Sequence, residues 1–310
     1  MWTRRTFIRE TGLAAGALLA APFDTWADAP VQRLTILHTN DTHSRLEPFP
    51  MDGSRNQGMG GVAARARVIE RIRQQEQHVL LLDAGDIFQG TPYFNVYKGE
   101  PEIKAMTRMG YDACTMGNHD FDGGLENFAL QLQHARFPVV VCNYGFAGTP
   151  MEFLYQPYRI FRKGKLKIGV TGVGIELKGL VPDNLVGNTR YLDPIEQVNT
   201  VAHDLRFKRG CDLVICLSHL GFQYRGNENR VSDQVLARET EQVDLIIGGH
   251  THTFLNEPLL VKNKIGSDVV INQVGWAGLV LGRLDYEFLP GKKKNLLQSH
   301  TVFIGKKQSE

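Results

Sequence analysis

The sequence predicts an α/β fold, and three features of its apolar residues lead to that prediction. Short apolar runs recur along the chain, and longer segments with apolar residues on one helical face lie between them. The short runs are apolar at successive positions rather than at every second one. Strands have this pattern when helices cover both faces of their sheet, so the sequence indicates strands that alternate with helices.

Each element of this fold is predicted from one segment of the pattern. The apolar runs predict strands at residues 34–38, 79–82, 113–116, 139–142, 166–173, 213–217 and 243–247. Helical periodicity predicts helices through residues 62–72, 125–132 and 195–205. After Thr253, runs at residues 269–274, 279–288 and 301–304 have no helical pattern between them, which predicts hairpins that complete a second sheet. Turn-forming residues predict long loops at residues 44–60 and 222–230.

Composition and charge are those of an ordinary globular chain. Of the 310 residues, 42% are hydrophobic and 22% are charged, which is enough apolar material for a sizeable core. The formal net charge is +2, so the charge balance gives no reason to expect nucleic acid or an anionic membrane as a partner. The four cysteines lack the close pairing of a zinc site and are predicted to be buried free thiols.

The first residues are predicted to be an export signal rather than part of the fold. Arg4 and Arg5 precede the apolar pair Phe7 and Ile8 and then a stretch rich in Ala, Gly and Leu, as in a bacterial twin-arginine signal. That stretch is too short to span a bilayer, and no later segment is long and apolar enough. Residues 1–29 are therefore predicted to be a signal peptide, and the mature protein to be periplasmic or otherwise exported. The alternative is a basic, apolar N-terminal helix of a cytosolic protein.

Polar clusters follow five of the predicted strands. They lie at residues 40–43, 85–90, 117–122, 218–219 and 248–252. In an open α/β sheet the loops that leave the carboxyl ends of strands meet at one edge, where ligands bind. We therefore expect these distant clusters to form one site. The candidate metal ligands in them are Asp41, His43, Asp86, Asn118, His219, His250 and His252.

The residue types in these clusters are typical of a metal centre. Carboxylate, amide and imidazole groups suit zinc, manganese, iron or cobalt better than calcium or copper. Asp41 and His43 are two positions apart, so their side chains share one side of an extended segment, and the same holds for His250 and His252. The candidates are too many for one tetrahedral ion but fit two divalent ions that share a carboxylate. Such a pair, about 3.5–4 Å apart, can clamp both oxygens of an in-line displacement at phosphorus.

Together these motifs resemble the metallophosphatase domain of the 5′-nucleotidase family, within the calcineurin-like phosphoesterases. The matching segments are residues 37–43, 85–86, 117–122, 218–219 and 249–252, in the family's order. The resemblance covers nearly everything after the signal and implies one catalytic domain at residues 31–310. It also implies a four-layer α/β/β/α sandwich with two mixed sheets and a dinuclear metal site at the carboxyl edge of the strands.

The resemblance further implies a role for each site residue. One ion would be held by Asp41, His43, Asp86 and His252. The other would be held by Asp86, Asn118, His219 and His250, so that Asp86 bridges the pair. His119 would face the phosphate or the leaving oxygen, with Asp122 orienting its ring, while a metal-bound hydroxide attacks phosphorus. Asp120 stands where many relatives carry Glu.

The predicted function is hydrolysis of a phosphate ester, and the favoured substrate is a nucleotide. Alternatives that share this metal site are a cyclic-nucleotide phosphodiesterase, a nucleotide-sugar pyrophosphatase and a thiosulfohydrolase-like enzyme. An accessory subunit with a silent site is an alternative of another class. In the family a second domain stacks the nucleobase, and this chain stops where the catalytic domain is expected to close. Either local loops such as residues 222–230 select the substrate, or a separate polypeptide supplies that domain in trans.

Overall fold

A computed structural model of the protein describes residues 31–227, 230–289 and 294–305. The predicted signal peptide lies outside these residues, so the structure does not test it. Among the helices of the described part, none combines the length and apolarity needed to cross a bilayer.

The helices and strands largely follow the alternation in the sequence. The strands are β1 (Gln32–Thr39), β2 (Val79–Asp83), β3 (Ala113–Cys114), β4 (Val139–Val140), β5 (Tyr144–Gly145), β6 (Tyr155–Gln156), β7 (Tyr158–Lys163), β8 (Leu166–Gly174), β9 (Arg190–Tyr191), β10 (Leu213–His219), β11 (Leu245–Gly248), β12 (Leu259–Lys262), β13 (Asp268–Asn272), β14 (Val280–Phe288) and β15 (Lys294–Phe303). The helices are α1 (Val62–Gln75), α2 (Pro92–Tyr97), α3 (Glu100–Met109), α4 (Leu125–Leu132), α5 (Asp183–Val186), α6 (Pro194–His203) and α7 (Asp233–Glu239). A short 3-10 helix covers His119–Phe121, and a π-helical turn covers Asp204–Lys208.

Two mixed sheets form the centre of the molecule. The first has seven strands in the order β15-β14-β1-β2-β3-β4-β6, and the second has six in the order β12-β13-β11-β10-β8-β7. In the first sheet β1 to β4 and β6 are parallel, while β14 and β15 are antiparallel additions beside β1. In the second sheet β8, β10, β11 and β13 are parallel, with antiparallel strands at both edges. The parallel strands direct their carboxyl ends to a common edge.

Three hydrophobic clusters separate four layers. Successive residues of one strand belong to different clusters, because side chains alternate across a strand. Ile36 of β1 and Ile215 of β10 lie in the cluster between the sheets, whereas Leu37 lies in the cluster under α1, α3 and α4. Val214 lies in a third cluster, which packs α6 and α7 on the second sheet. This arrangement confirms the α/β/β/α sandwich.

One expectation about the elements was wrong. The final hairpin was expected to finish the second sheet, but β14 and β15 join the first sheet, where β14 pairs with β1; only β12 and β13 complete the second. Helices α2 and α3 and the edge strand β7 were also not predicted. All four cysteines are buried and free, as predicted.

Candidate metal centre

The five polar clusters meet at the carboxyl edge of the two sheets. Asp41 and His43 follow β1, Asp86 follows β2, and Asn118 follows β3 in the first sheet. His219 ends β10, while His250 and His252 follow β11 in the second sheet. The structure therefore brings all seven predicted ligands together, and they come from both sheets.

These side chains form two groups, each able to hold one ion. Asp41, His43 and His252 make one group, and Asp86, His219 and His250 make the other; in each group the possible ligand atoms lie within 4.8 Å of one another. Nε2 of His252 is 2.9 Å from Nε2 of His43 and 3.4 Å from Oδ1 of Asp41.

Asp86 and Asn118 complete the arrangement. Oδ2 of Asp86 is 3.1 Å from Nε2 of His219 and also 3.9 Å from Nε2 of His43, so this carboxylate reaches both groups. Oδ1 of Asn118 lies 2.8 Å from Nδ1 of His250, beside the second group.

His43 and His219 anchor Nδ1 on backbone carbonyls and turn Nε2 towards the centre. Nδ1 of His219 donates to the carbonyl of Ala84 at 2.7 Å, and Nδ1 of His43 donates to the carbonyl of Phe88 at 3.2 Å. Nε2 of His219 is buried without a hydrogen-bond partner among the described residues. Outer hydrogen bonds of this kind fix the tautomer of a metal-ligating histidine. The donor set therefore fits a pair of divalent ions.

The electrostatics of the centre also favour cations. Burial lowers the pKa of His219, but the charges of Asp86 and Asp41 outweigh it and raise that pKa to about 10. Burial would raise the pKa of Asp86, yet His219 and His43 hold it below its ordinary value. Asp86 thus stays ionised in a buried position beside both candidate ligand groups.

The backbone at the ligands is strained. Five of the seven adopt the left-handed conformation, with φ of 49° at Asp41, 47° at His43, 55° at Asp86, 72° at His250 and 50° at His252. For residues other than glycine this conformation costs about 1–2 kcal/mol each. Strain of this kind persists at functional sites, where the surrounding structure holds it.

His119 and Asp122 lie beside the ligand groups rather than in them. Nδ1 of His119 donates to Oδ2 of Asp122 at 2.8 Å, and this hydrogen bond is the main reason that the pKa of His119 is raised. The ring of His119 lines a cavity of about 220 Å³ over the centre. The other residues of that cavity are His43, Arg45, Gln89, Gly90, His252, Trp276 and Ala277. Sequence reasoning missed Arg45 and Trp276, which no motif marks, and gave no role to Gln89, which lies in the cluster at residues 85–90.

Asp120 connects two loops of the site, a structural role that the sequence did not indicate. Its buried carboxylate accepts hydrogen bonds from four backbone N–H groups. The donors are Asp86, Ile87, Phe88 and Gly117. Asp120 therefore ties the loop that carries Asp86 to the loop that carries Asn118.

Sequence comparison gives the family to which this fold and these two candidate ligand groups belong. The profile of the calcineurin-like phosphoesterases matches residues 34–254. The chain belongs to this family, whose members use a dinuclear divalent metal centre, and its two ligand groups correspond to such a centre.

Individual relatives are 5′-nucleotidases. The chain is 36% identical over 299 residues to the snake venom 5′-nucleotidase of Gloydius brevicauda, covering 89% of this chain and 49% of that protein. It is 35% identical over 309 residues to the 5′-nucleotidase of Bos taurus, covering 93% and 51% respectively. The crystal structure of a 5′-nucleotidase precursor from Thermus thermophilus superimposes with a TM-score of 0.79 at 33% identity, covering 88% of this chain and 55% of that one. The chain thus spans about half the length of these relatives.

Proposed function

We propose that this chain is an exported two-metal phosphoesterase that hydrolyses a phosphate ester of a nucleotide. The observation that carries the proposal is the placement of two candidate ligand groups side by side, with His119 on the wall of the cavity beside His43 and His252 and hydrogen-bonded to Asp122. Similarity to 5′-nucleotidases supports a nucleotide as the substrate.

Each ligand has a proposed place in this centre. One ion would be held by Asp41, His43, Asp86 and His252, and the other by Asp86, Asn118, His219 and His250. Such a pair would supply Lewis-acid polarisation of the phosphoryl oxygens and lower the pKa of a nearby water. The ligand types allow manganese, zinc, iron or cobalt.

His119, oriented by Asp122, acts on the phosphate from the wall of the cavity. Because Nδ1 of His119 is engaged by Asp122, its Nε2 is the nitrogen that remains for substrate. The raised pKa keeps the ring cationic over a wider pH range, so it can neutralise a phosphoryl oxygen and give a proton to the leaving oxygen. Asp122 holds the ring in that orientation.

The decisive experiment measures metal-dependent hydrolysis by the purified chain. Protein treated with EDTA is assayed before and after Mn²⁺ or Zn²⁺ is restored, with AMP, p-nitrophenyl phosphate and bis-p-nitrophenyl phosphate as substrates. We expect hydrolysis to disappear with EDTA, to return with metal, and to favour the monoesters. Preference for bis-p-nitrophenyl phosphate would instead indicate a diesterase, and no hydrolysis with two ions bound would contradict the proposal.

A variant separates an enzyme from an accessory protein with a silent site. His119→Ala removes a group that lies outside both ligand groups, so the ions should still bind. We expect turnover to fall by about 10²–10⁴-fold, which is the usual contribution of a positioned acid or base. Unchanged metal content together with unchanged turnover would refute the role of His119.

The nucleoside part of the substrate has a separate proposal. Relatives of about twice this length carry further sequence, and we propose that a separate polypeptide supplies a substrate-binding domain in trans. Affinity purification from the native host should then recover that polypeptide with this chain. Saturation of the isolated chain by micromolar AMP would contradict the proposal.

Export has its own test. We propose that residues 1–29 direct the chain through the twin-arginine pathway. Replacement of Arg4 and Arg5 by Lys should retain the protein in the cytoplasm, as cell fractionation would show. Equal periplasmic amounts of the variant and the natural chain would rule out this route.

A further inference from the structure

His252 is held differently from His43 and His219. His43 and His219 each anchor Nδ1 on a backbone carbonyl, and their side chains are only 9% and 0% exposed. The side chain of His252 is 41% exposed. Within residues 31–227, 230–289 and 294–305, its ring nitrogens contact only His43 and Asp41, which belong to its own ligand group.

The partner that orients His252 is an aromatic ring. The indole of Trp276 stacks on the imidazole, with ring centroids 5.8 Å apart and planes only 9° apart. Phe49 meets the indole edge-to-face at 5.9 Å, and the guanidinium of Arg45 lies 4.2 Å over the Phe49 ring.

Trp276 is itself well anchored. It packs, together with Phe49, on a small hydrophobic cluster formed by Met59, Val274, Ala277, Leu279 and Val280. The indole is therefore held between residues of the loop at 44–60 and residues in and just before β14. An anchored ring of this size can restrain the rotation of an imidazole stacked on it.

We propose that Trp276 is a positioning residue for the metal centre: its stack on His252 replaces the outer hydrogen bond that usually orients a metal-ligating histidine. The stack holds Nε2 of His252 towards Asp41 and His43, so that less conformational freedom is lost when an ion binds. This inference rests on the proposed metal centre. Its expected effect is limited to one ion, because the stack touches only the group of Asp41, His43 and His252.

The first test compares metal affinities of Trp276 variants. Mn²⁺ binding to the full chain is measured by isothermal titration calorimetry and by metal analysis after dialysis. We expect Trp276→Leu to weaken one of the two ions about tenfold and leave the other unchanged, because the loss of an orienting partner typically weakens metal binding 10–100-fold. Trp276→Phe keeps a ring for stacking and should recover most of the affinity.

The chain offers a matched control. Phe207 also packs on a histidine, His203, with ring centroids 4.6 Å apart, but that pair lies in α6 and the π-helical turn. Phe207→Leu should leave both affinities unchanged. If Trp276→Leu binds both ions as tightly as the natural chain, the positioning role is refuted while the proposed function stands. If the natural chain binds no Mn²⁺ pair at all, the proposed metal centre itself fails.

A spectroscopic test does not depend on the folding of any Trp276 variant. The chain has 3 tryptophans, and replacement of Trp2 and Trp26 by Phe leaves Trp276 as the sole tryptophan, whose emission is excited selectively at the red edge of the absorption band. We expect Co²⁺ to quench this emission as the ion at His252 binds, and we expect His252→Asn to remove that step from the titration. A quenching step of equal size and midpoint in His252→Asn would overturn the proposal.

Discussion

At the scale of single residues, the centre depends on groups that bind no metal. Asp120 is the clearest of them, because one carboxylate receives four backbone N–H groups from two ligand-bearing loops. A glutamate at this position would place its oxygens farther from its own backbone. The aspartate thus fits the close approach of the two loops in this chain.

Asp120→Asn should therefore weaken both the fold and the centre. The amide retains one oxygen but turns an N–H group towards backbone donors, so we expect a loss of about 2–3 kcal/mol in the free energy of unfolding. Urea denaturation and metal analysis measure the two effects. Asp112→Asn is the control, because Asp112 also accepts a backbone N–H, from Leu81 in the middle of β2, outside the loops that carry the candidate ligands. Normal metal binding by Asp120→Asn would contradict this role.

His38 gives a prediction about pH and stability. It is fully buried, its Nε2 accepts from Asn272 at 2.9 Å, and burial lowers its pKa from 6.5 to about 3. The unfolded chain therefore binds a proton below pH 6.5 that the folded chain refuses. Stability from this residue is complete above about pH 6.5 and is lost as the pH falls towards 3.

The measurement compares urea denaturation of the natural chain and His38→Gln at pH 7 and pH 5, both in EDTA. We expect the natural chain to lose more free energy of unfolding between these pH values than the variant loses. An equal loss in both proteins would show that His38 does not titrate in this way.

At the scale of elements, the loops after β2 and β3 approach each other so closely at Gly117 that a side chain at this position would clash. A Cβ at Gly117 would lie 2.1 Å from Oδ1 of Asp86 and 2.6 Å from Cε1 of His219. The glycine is therefore required by contact with two ligands, and not by its backbone conformation.

Gly117→Ala should displace Asp86 and reduce metal-dependent turnover by at least about 100-fold, since small displacements in a site have effects of this size. Gly145→Ala is the matched control, because a Cβ there would meet nothing closer than 3.5 Å. Steady-state kinetics and metal analysis of both variants check the prediction. Full activity in Gly117→Ala would mean that these loops can separate without harm.

The elements that sequence predicted correctly are those whose apolar pattern is local. β1, β2, β8 and β10 are buried on both faces, and this leaves continuous apolar runs. β7 carries charged residues and lies at a sheet edge, so its run is interrupted. The sheet chosen by β14 depends on pairing with β1, far away in sequence, and no local pattern encodes that choice.

At the scale of the whole molecule, the metal centre joins the two sheets. The first sheet supplies Asp41, His43, Asp86 and Asn118, and the second supplies His219, His250 and His252. Ions bound between them should stabilise the packing of one sheet on the other, because a ligand that binds only the folded state raises its stability.

Metal removal should therefore lower the melting temperature. At a free metal concentration of 100 times Kd, each ion adds about 2.7 kcal/mol to the free energy of unfolding. Differential scanning calorimetry with Mn²⁺ and with EDTA measures the difference. The same melting temperature in both would show that the centre does not couple the sheets.

The general position of the site was predictable from topology, whereas its supporting contacts were not. Polar residues at the ends of parallel strands meet at one edge in any such fold, so the motifs alone located the seven ligand candidates. Trp276 and Arg45 approach the centre through tertiary packing of a loop and of the segment before β14. Their positions depend on three-dimensional packing, which the spacing of residues along the sequence does not reveal.

The left-handed backbone at five ligand positions has a consequence for the history of such a protein. Glycine or asparagine adopts that conformation with less strain, so selection for stability alone would replace these aspartates and histidines. Only continued selection for metal chemistry preserves them. A descendant that no longer bound the ions would gain stability as each of these residues was replaced, and its drift away from catalysis would be fast and hard to reverse.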